Sequence, residues 1–312
     1  MLPAPVILAT SLIPGRDQAL QAATVASWRA AGFEVISVNA GAEADAVRNA
    51  YPGVTVTPVE ATAEKFARKP VPYIHDLLRT LKQACFARNV PLDQCTVGII
   101  NADIFLRPLP QLASIFAQQA KGALILGPRV DVPDMSSFKS FAPSAGDTYS
   151  VGYDYFVMSA DQLNDFDPSP FCLGMPFWDY WMPLVSLLQG RPLKTIMSPV
   201  ALHVTQETLW DDTIYLFFHA LISYVVELCR RGRGRDESPQ ARQFDLLFDL
   251  ISHLYTGAFA RGTEPKKGAS EPDAVGVAEL ADFYDRFQQV IVHHIKSNTK
   301  AITVPEAAAP AA

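Results

Sequence analysis

Short apolar runs alternate with stretches of helical spacing along the first two thirds of the chain. The run VILAT at residues 6–10 and the run at residues 33–38 each suit a strand that is buried on both faces. Residues 17–32 between them fit a helix that ends near Gly32. A strand, a helix and a strand in this order form the βαβ unit of a parallel sheet. Further buried strands are predicted at residues 54–59, 96–106, 123–126, 153–158 and 192–197.

Helical spacing recurs between these strands. Apolar residues predict one helix from Tyr73 through Cys85 and another over residues 108–121. The stretch GMPFWDYW at residues 174–181 predicts the start of a third helix, with Pro176 in its first turn, where a missing N–H costs nothing. Residues 131–150 are rich in Pro, Ser, Asp and Gly without clear periodicity, and we interpret them as a long loop near a functional site.

The C-terminal third is predicted to be helical, with helices at residues 212–230, 240–260 and 277–297. The first of these is apolar nearly all the way round, which indicates deep burial or membrane contact. Because His219 and Glu227 interrupt the run, burial in a helical subdomain or a homodimer interface is favoured over peripheral membrane contact. The predicted domains are a catalytic domain at 1–210, a helical extension at 211–300 and a disordered tail at 301–312.

Composition narrows the class of protein. Apolar residues make up 49% of the chain and charged residues 19%, which is typical of an ordinary globular protein and argues against a disordered one. A formal net charge of −6 gives no reason to expect nucleic acid as a partner. The four cysteines show no CxxC spacing, so neither a zinc site nor a disulfide framework is indicated. The N-terminus has no basic region before its apolar stretch, which predicts a cytoplasmic protein.

Several enzyme classes lose their main support because their motifs do not occur in the sequence. The chain contains no Gly-x-Ser-x-Gly, His-Glu-x-x-His, Walker or Gly-x-Gly-x-x-Gly pattern. These patterns carry the nucleophile of serine hydrolases, the zinc ligands of metalloproteases and the phosphate loops of nucleotide-binding folds. The candidate chemistry therefore has to come from other residues.

The apolar strand at residues 96–106 opens abruptly into Asn101-Ala102-Asp103. Two residues apart on an extended segment, Asn101 and Asp103 project to the same side. Ligands bind at the carboxyl ends of parallel strands, and oxygen donors placed there can hold Mg²⁺ or Mn²⁺ against a diphosphate. On this tripeptide alone, a turn or helix cap after the strand is the simpler interpretation.

Other features occur with this tripeptide in a fixed order. They are the strand VILATSLIP, the strand Gly152-Tyr153-Asp154, the GMPFWDYW helix start and the late His203. As an ordered set over residues 6–207, they resemble the glycosyltransferases of the GT-A fold. The resemblance implies a three-layer α/β sandwich with a mostly parallel central sheet, followed here by a helical C-terminal extension. It also implies transfer of a sugar from a nucleotide-sugar donor to an acceptor hydroxyl.

The resemblance assigns the donor and metal sites. It places the nucleotide near the first strands, where we expect contacts from Thr10, Ser11 and Asn39. Asp103 is the expected ligand of a divalent cation, Mn²⁺ or Mg²⁺, with Asn101 beside it and His203 completing the metal shell. Asn101 stands where the family often has an acid, and a neutral side chain weakens the attraction for the ion.

Three further residues, Arg68, Lys69 and Asp154, are candidates for substrate contact. Arg68 and Lys69 lie in the loop before the helix that starts at Tyr73, where they can contact a diphosphate or form part of an ordinary surface loop. Asp154 is expected to hold donor or acceptor hydroxyls. An acid within an apolar strand needs a partner when it is buried, and Arg129 is the candidate partner.

Asp179 is the candidate general base. A carboxylate within hydrogen-bond reach of a sugar hydroxyl lowers the barrier to transfer, typically by about 10² to 10⁴ in rate. Trp178 is the candidate platform for a sugar ring. The alternatives are that Asp179 only favours the positive end of its helix, by roughly 0.3 to 1 kcal/mol, and that Trp178 belongs to the core.

The sequence thus predicts a glycosyltransferase whose acceptor is a glycan, a lipid or a small molecule. Two alternatives stay open. One is a GT-A-like protein that binds a nucleotide-sugar or a glycan without turnover, because Asn101 replaces an acid. The other is a sugar nucleotidyltransferase, although the first strand lacks the Gly-rich, basic loop that would cradle a triphosphate.

Overall fold

The structure is a computed structural model that describes residues 6–144, 152–205, 213–232 and 274–304. Its internal contacts divide it into two compact units, residues 1–217 with 299–312 and residues 218–298. The domain boundaries predicted from the sequence, after residues 210 and 300, stay predictions. The helix predicted at residues 240–260 lies outside the described residues.

Strands and helices alternate through most of the first unit. The described strands are β1 (Val6–Thr10), β2 (Phe33–Ala40), β3 (Thr55–Val59), β4 (Thr96–Ile100), β5 (Ile104–Leu106), β6 (Leu124–Gly127), β7 (Val130–Val132), β8 (Tyr155–Ser159), β9 (Leu193–Ile196), β10 (Ala201–Val204) and β11 (Thr299–Ile302). The described helices are α1 (Gln18–Ala30), α2 (Ala44–Ala50), α3 (Glu64–Ala67), α4 (Ile74–Ala87), α5 (Leu112–Gln119), α6 (Ser137–Ser140), α7 (Trp178–Leu188), α8 (Thr213–Gly232) and α9 (Ala274–Ser297).

Eight of these strands form one sheet in the order β11-β9-β6-β8-β4-β1-β2-β3. The register pairs Val6 of β1 with Phe33 on one side and with Thr96 on the other. All the pairs are parallel except those of β8, which runs antiparallel to both β4 and β6. The predicted mostly parallel central sheet is confirmed.

Helices cover both faces of this sheet. Val6 and Leu8 belong to a core cluster that includes Trp28 of α1 and Phe116 of α5. On the opposite face, α4 packs against β1 and β4, and α7 packs against β6 and β9. The side chains of β1 and β4 are buried from end to end, as expected for strands covered on both sides. The predicted three-layer α/β sandwich is confirmed.

A second, three-stranded sheet has the order β5-β10-β7. The chain enters it through a turn at Asn101-Ala102-Asp103, which separates β4 from β5. The single extended strand expected over residues 96–106 is therefore wrong, and so is the argument that alternation alone puts Asn101 and Asp103 on one side. The turn instead moves the chain from the main sheet into the small one.

Helix α1 fixes the start of the small sheet through polar side chains. The indole N–H of the fully buried Trp28 donates to the backbone oxygen of Ile104 at 2.7 Å. One helical position earlier, the hydroxyl of Ser27 accepts from the backbone N–H of Leu106 at 3.0 Å. Both bonds satisfy backbone groups of β5 that would be costly to bury unpaired. The position of Asp103, one residue before β5, thus depends on α1.

Three sequence predictions differ from the structure in detail. The long loop expected at residues 131–150 contains β7 and α6 within its described part. Helix α7 begins at Trp178, so Pro176 lies before the helix and not in its first turn. Phe177, between Pro176 and Trp178, has a left-handed backbone with φ of 72° and is therefore not part of the helix. Residues 301 and 302 belong to β11, which pairs with β9, so the predicted disordered tail is wrong there.

The described part of the second unit comes from α8 and α9. Phe218 of α8 and Phe287 of α9 meet edge to face with ring centroids 5.1 Å apart. Leu221, Val225, Ile291 and Ile295 are also buried. Burial of the apolar helix, favoured from the sequence, is therefore observed for these side chains.

None of the helices in the described part of the chain is both long enough and apolar enough to cross a membrane.

Candidate functional site

Polar side chains converge at the carboxyl end of β4. Asn101 follows β4, and Asp154 precedes the antiparallel strand β8, so the two residues meet at the same edge of the sheet. The backbone N–H of Asn101 donates to the backbone oxygen of Asp154 at 2.9 Å, and its side-chain amide donates to Asp154 Oδ1, also at 2.9 Å. Asn101 therefore contacts another site residue directly, through its own side chain.

Arg129 joins the same group from the end of β6. Its Nη1 donates to Asp154 Oδ1 at 2.6 Å, so the candidate partner named from the sequence is the partner in the structure. Its Nε donates to Asp131 Oδ1 at 3.0 Å, so one guanidinium bridges two carboxylates. Burial lowers the pKa of Arg129, but the charges and hydrogen bonds of Asp154 and Asp131 outweigh it and raise the pKa.

His203 lies between two acids on the small sheet. The register of β10 and β7 pairs His203 with Asp131, whose Oδ1 is 2.8 Å from His203 Nδ1. His203 Nε2 lies 3.4 Å from Asp103 Oδ2. The predicted proximity of Asp103 and His203 is thus present in the structure. We call Asp103, Asp131 and His203 the metal-side cluster.

Asp103 and His203 shift each other's pKa. Burial lowers the pKa of His203, but its contacts with Asp103 and Asp131 outweigh this and raise it. Burial raises the pKa of Asp103, but the hydrogen bond and charge of His203 hold it below its usual value. The carboxylate form of Asp103, which a cation requires, is therefore favoured.

The metal-side cluster fits a divalent cation in part. The described residues contain no group of three or more His, Cys, Asp or Glu side chains arranged around one ion. Mg²⁺ and related ions, however, are commonly held by one or two carboxylates together with phosphate oxygens and water. Asp103 and His203 face each other closely enough to share an ion. Asp131 on the far nitrogen of His203 is the outer partner that metal-binding histidines usually have.

Asp179 lies in the first turn of α7. Burial, followed by the charge of Asp154, raises its pKa to about 7, although backbone N–H groups of Tyr153, Asp179 and Tyr180 oppose the shift. The alternative role proposed from the sequence, as an acid at the positive end of a helix, is therefore present too, since the α7 N–H groups bind this carboxyl. We call Asp154 and Asp179 the acid pair.

At Gly152, two residues before Asp154, the structure leaves little room for a side chain. A Cβ added at Gly152 would lie 3.1 Å from Asp179 Oδ2, which is tighter than an ordinary contact. Burial and the charge of Asp179 also raise the pKa of Tyr153 to about 12, so its phenol stays neutral. The segment from Gly152 to Asp154 thus packs directly against the candidate base.

Asp154 itself is the most constrained acid of the site. It is 5% exposed, and burial raises its pKa against the opposing charge of Arg129. Both of its internal side-chain bonds, from Arg129 and from Asn101, end on Oδ1. Among the described residues, Oδ2 has no hydrogen-bond partner. A buried carboxylate oxygen in this state is a strong candidate for a ligand contact.

The loop after β1 is held from within the protein. Asn39 is fully buried, accepts from the Ser37 hydroxyl at 2.6 Å and donates to the backbone oxygen of Leu12 at 2.7 Å. Its side chain also bonds Glu43. The expectation that Asn39 contacts the nucleotide is therefore wrong for its side chain, whose amide atoms are engaged inside the protein. Asn39 instead fixes the loop.

Thr10 and Ser11 lie where this loop leaves β1. Thr10 is buried, and Oγ1 has no hydrogen-bond partner among the described residues, whereas Ser11 is half-buried. The buried Gln21 of α1 accepts from the N–H of Ile13 at 2.7 Å and donates to its backbone oxygen at 3.1 Å. The side chain of Ile13 is 48% exposed at the tip of this ordered loop. Nucleotide contact at Thr10 and Ser11 stays a prediction.

The remaining predicted contacts lie in different surroundings. Arg68 and Lys69 are both exposed after α3, and Arg68 has a left-handed backbone with φ of 56°. Their contact with a diphosphate stays a prediction. Trp178 is only 3% exposed and packs edge to face against Phe156 at 5.2 Å between ring centroids. Because a sugar platform needs an open ring face, the prediction for Trp178 is wrong, and the core interpretation is right.

Asp131 is the site residue that the sequence interpretation missed. It stands in β7, between the buried Val130 and Val132, in a strand of only three residues. The alternation Val-Asp-Val after Gly127 is the signal that predicts such a strand. This strand is difficult to recognise in the sequence because the Pro- and Ser-rich stretch follows it directly.

The chain resembles several solved structures in chain path. A mannosyltransferase from Pyrobaculum calidifontis, PcManGT, determined in complex with GDP-Man and Mn²⁺, is 14% identical, with 96% of this chain and 89% of that chain covered and a TM-score of 0.44. The 4-diphosphocytidyl-2C-methyl-D-erythritol synthase of Anaerococcus prevotii is 13% identical over 71% of this chain and 99% of that chain, with a TM-score of 0.34.

A third solved structure, named mannose-1-phosphate geranyltransferase, comes from Thermus thermophilus. It is 8% identical over 68% of this chain and 76% of that chain, with a TM-score of 0.32. No protein-family model matches the sequence. No curated protein matches it either. We therefore derive the function from the residues of this chain.

Proposed function

We propose that this protein transfers a sugar from a nucleotide-sugar donor to an acceptor hydroxyl. The observation that carries the proposal is the convergence of the metal-side cluster and the acid pair at one edge of the sheet, linked by Arg129. This edge is formed by the carboxyl ends of parallel strands, where α/β folds bind their ligands. Such a reaction can use a bound cation to stabilise the departing diphosphate and a carboxylate to accept the proton of the acceptor.

The donor occupies the side of the site near β1. Its nucleotide would lie along the loop after Thr10, and its diphosphate would face Asp103 and His203, which are the residues that would hold a divalent ion, Mn²⁺ or Mg²⁺. When bound, the ion supplies positive charge that stabilises the departing diphosphate. Arg68 and Lys69 supply further positive charge from the exposed loop after α3.

The acid pair acts on the sugar and the acceptor. Asp154 Oδ2 accepts a hydrogen bond from a sugar hydroxyl and so orients the ring. Asp179 removes the proton of the acceptor hydroxyl while that oxygen bonds to the anomeric carbon and the bond from this carbon to the diphosphate breaks. With a pKa of about 7, Asp179 is both partly ionised and basic enough at neutral pH, which is the balance that general-base catalysis favours.

A binding screen followed by a turnover assay tests the proposal. The purified protein is titrated with UDP-, GDP-, CMP- and dTDP-linked sugars, with and without Mn²⁺, by calorimetry and thermal shift. A ligand at about 100 times its Kd adds roughly 2.7 kcal/mol to the free energy of unfolding. We expect a shift for one nucleotide class that depends on Mn²⁺. Absence of any shift across the panel would overturn the proposal.

One variant and two assays of the wild type separate catalysis from binding without turnover. Asp179→Asn keeps the size of the side chain but cannot accept the proton, so transfer should be lost while donor binding persists. Donor binding by wild type without transfer or donor hydrolysis would instead favour a non-catalytic protein that binds nucleotide-sugars. Release of pyrophosphate from a nucleoside triphosphate and a sugar phosphate would favour a sugar nucleotidyltransferase.

A further inference from the structure

Arg129 contacts two carboxylates of the site but has no assigned role in the proposed transfer reaction. It lies between the metal-side cluster and the acid pair, with Nε on Asp131 and Nη1 on Asp154. Asp131 lies on the small sheet and Asp154 beside the main sheet, so Arg129 connects residues of separate sheets. Its side chain is 25% exposed, and the Asp154 side chain that it binds is 7% exposed.

The bonding pattern on Asp154 is asymmetric. Arg129 and Asn101 both donate to Oδ1, at 2.6 Å and 2.9 Å. Oδ2 has no hydrogen-bond partner among the described residues. Two donors on one oxygen fix the rotation of the carboxylate and turn the other oxygen away from them. Without Arg129, only the Asn101 amide donates to this carboxylate among the described residues. The carboxylate can then rotate, and either of its oxygens can accept from Asn101.

We propose that Arg129 is a positioning residue that fixes the Asp154 carboxylate so that Oδ2 is available to a hydroxyl of the donor sugar. The inference rests on the proposed function and goes further, because it assigns the recognition of the sugar, as opposed to that of the nucleotide, to the pair Arg129 and Asp154. Arg129 itself acts through Asp154 and does not touch the substrate.

Arginine is required here for a geometric reason. A guanidinium presents several N–H donors in a rigid plane, so it can hold two carboxylates in fixed directions at once. A lysine ammonium keeps the charge but is a flexible point donor. Arg129→Lys therefore preserves electrostatic neutralisation and removes the fixed geometry. An effect of this variant on sugar recognition separates orientation from charge.

The readout is the affinity gained from the sugar. Calorimetry in the presence of Mn²⁺ gives Kd for the nucleotide-sugar that wild type binds in the panel and for the matching nucleotide without its sugar. We call the ratio of the nucleotide Kd to the nucleotide-sugar Kd the sugar increment. Arg129→Lys should lower the sugar increment about tenfold. Because the increment is a ratio of two Kd values measured with the same Mn²⁺, a change in cation binding caused through Asp131 affects both values and cancels.

A double-mutant cycle tests the route through Asp154. Asp154→Asn alone should lower the sugar increment by a similar factor, and Arg129→Lys should cause no further loss in the Asp154→Asn background, because coupled residues are not additive. Additive losses, or a sugar increment unchanged in Arg129→Lys, would overturn the inference. Thermal melts check folding, and Arg129→Gln replaces Arg129→Lys in the cycle if the lysine variant does not fold.

A matched control lies elsewhere in the same unit. Arg191 also bridges two carboxylates, with Nε 2.8 Å from Asp165 and Nη1 3.6 Å from Asp161, and its side chain is 29% exposed. Arg191→Lys should leave the sugar increment unchanged. If wild type binds none of the panel, the proposed function fails. If wild type binds a nucleotide-sugar and the cycle is additive, only the role of Arg129 fails.

Discussion

Asp154 lies close enough to Asp179 for its charge to add to burial in raising the pKa of Asp179 to about 7. The two carboxyls come from different elements, one just before β8 and the other in the first turn of α7. Their proximity follows from packing of α7 on the sheet, where Trp178 meets Phe156. The packing of Trp178 on Phe156 thus keeps the two carboxyls close together, and this proximity contributes to the raised pKa of Asp179.

The first prediction concerns the pH dependence of transfer. Because only the ionised form of Asp179 can accept a proton, kcat should rise with pH through about 7 and level off above it. Asp179→Asn should lower kcat by about 10² to 10⁴ and remove this limb of the profile. Steady-state kinetics from about pH 5 to 9 measure both. A profile in the variant that keeps the same limb would exclude Asp179 as its source.

The same residue should leave a signature in stability. The pKa of Asp179 is higher in the folded state, about 7, than in the unfolded chain, about 3.9, so the folded protein binds more protons between these values. The free energy of unfolding therefore falls as pH rises through that window. Above it, the ionised carboxyl destabilises the fold.

Asp179→Asn removes the destabilisation that the ionised carboxyl causes at high pH. At about pH 8 the variant should be more stable than wild type by roughly 1 to 3 kcal/mol, and at about pH 4 the difference should be small. Urea unfolding at both pH values measures the effect. Asp45→Asn, which alters an acid whose side chain is 92% exposed in α2, is the control and should change stability little at either pH. Equal effects of Asp179→Asn at both pH values would contradict a raised pKa.

The metal-side cluster predicts how Mn²⁺ binds to the protein alone. Asp103→Ala and His203→Ala should each weaken Mn²⁺ binding at least about tenfold, and Asp131→Asn about 10- to 100-fold through the orientation of His203. Electron paramagnetic resonance of free Mn²⁺ gives these affinities without any sugar donor. His75→Ala, a histidine beside the backbone oxygen of Ser169 at 3.2 Å, is the control. Undiminished transfer by Asp103→Ala would rule out the metal assignment.

A prediction about the core concerns Trp28. Trp28→Phe leaves the backbone oxygen of Ile104 without its indole donor and opens a small cavity beside α1. Together these effects should cost about 2 to 4 kcal/mol of unfolding free energy in urea titrations. Because β5 starts one residue after Asp103, Mn²⁺ affinity should fall as well. Phe86→Ala, at a side chain that is 56% exposed, should change neither.

The sequence predicts those parts of the molecule that short-range patterns determine. The buried strands β1 and β4 are readable because each is a short, nearly continuous apolar run, as sheets covered on both faces require. That Asp154 has a partner is predictable because a buried acid needs one, but the sequence names Arg129 only as a candidate, and the structure identifies it as the partner.

Other features depend on contacts between distant parts of the chain. β11 is a strand only because it pairs with β9, about a hundred residues earlier, and its own sequence carries little signal. Asp131 becomes a site residue through His203, which lies 72 positions later. Asn39 has the polar character of a ligand contact, yet its hydrogen bonds to Ser37 and Leu12 make it a structural residue. Periodicity and motif order cannot report such pairings.

The turn at Asn101-Ala102-Asp103 determines which parts of the candidate site a substitution can affect. It sends the chain out of the main sheet, so Asp103, Asp131 and His203 all belong to the small sheet β5-β10-β7 or its entrance. The acid pair is anchored separately, by β8 and α7. The residues proposed to bind the cation and those proposed to handle the proton thus stand on different elements, with Arg129 bonded to both groups. If the proposal is right, substitutions in the small sheet should change cation binding more than they change the pKa of Asp179.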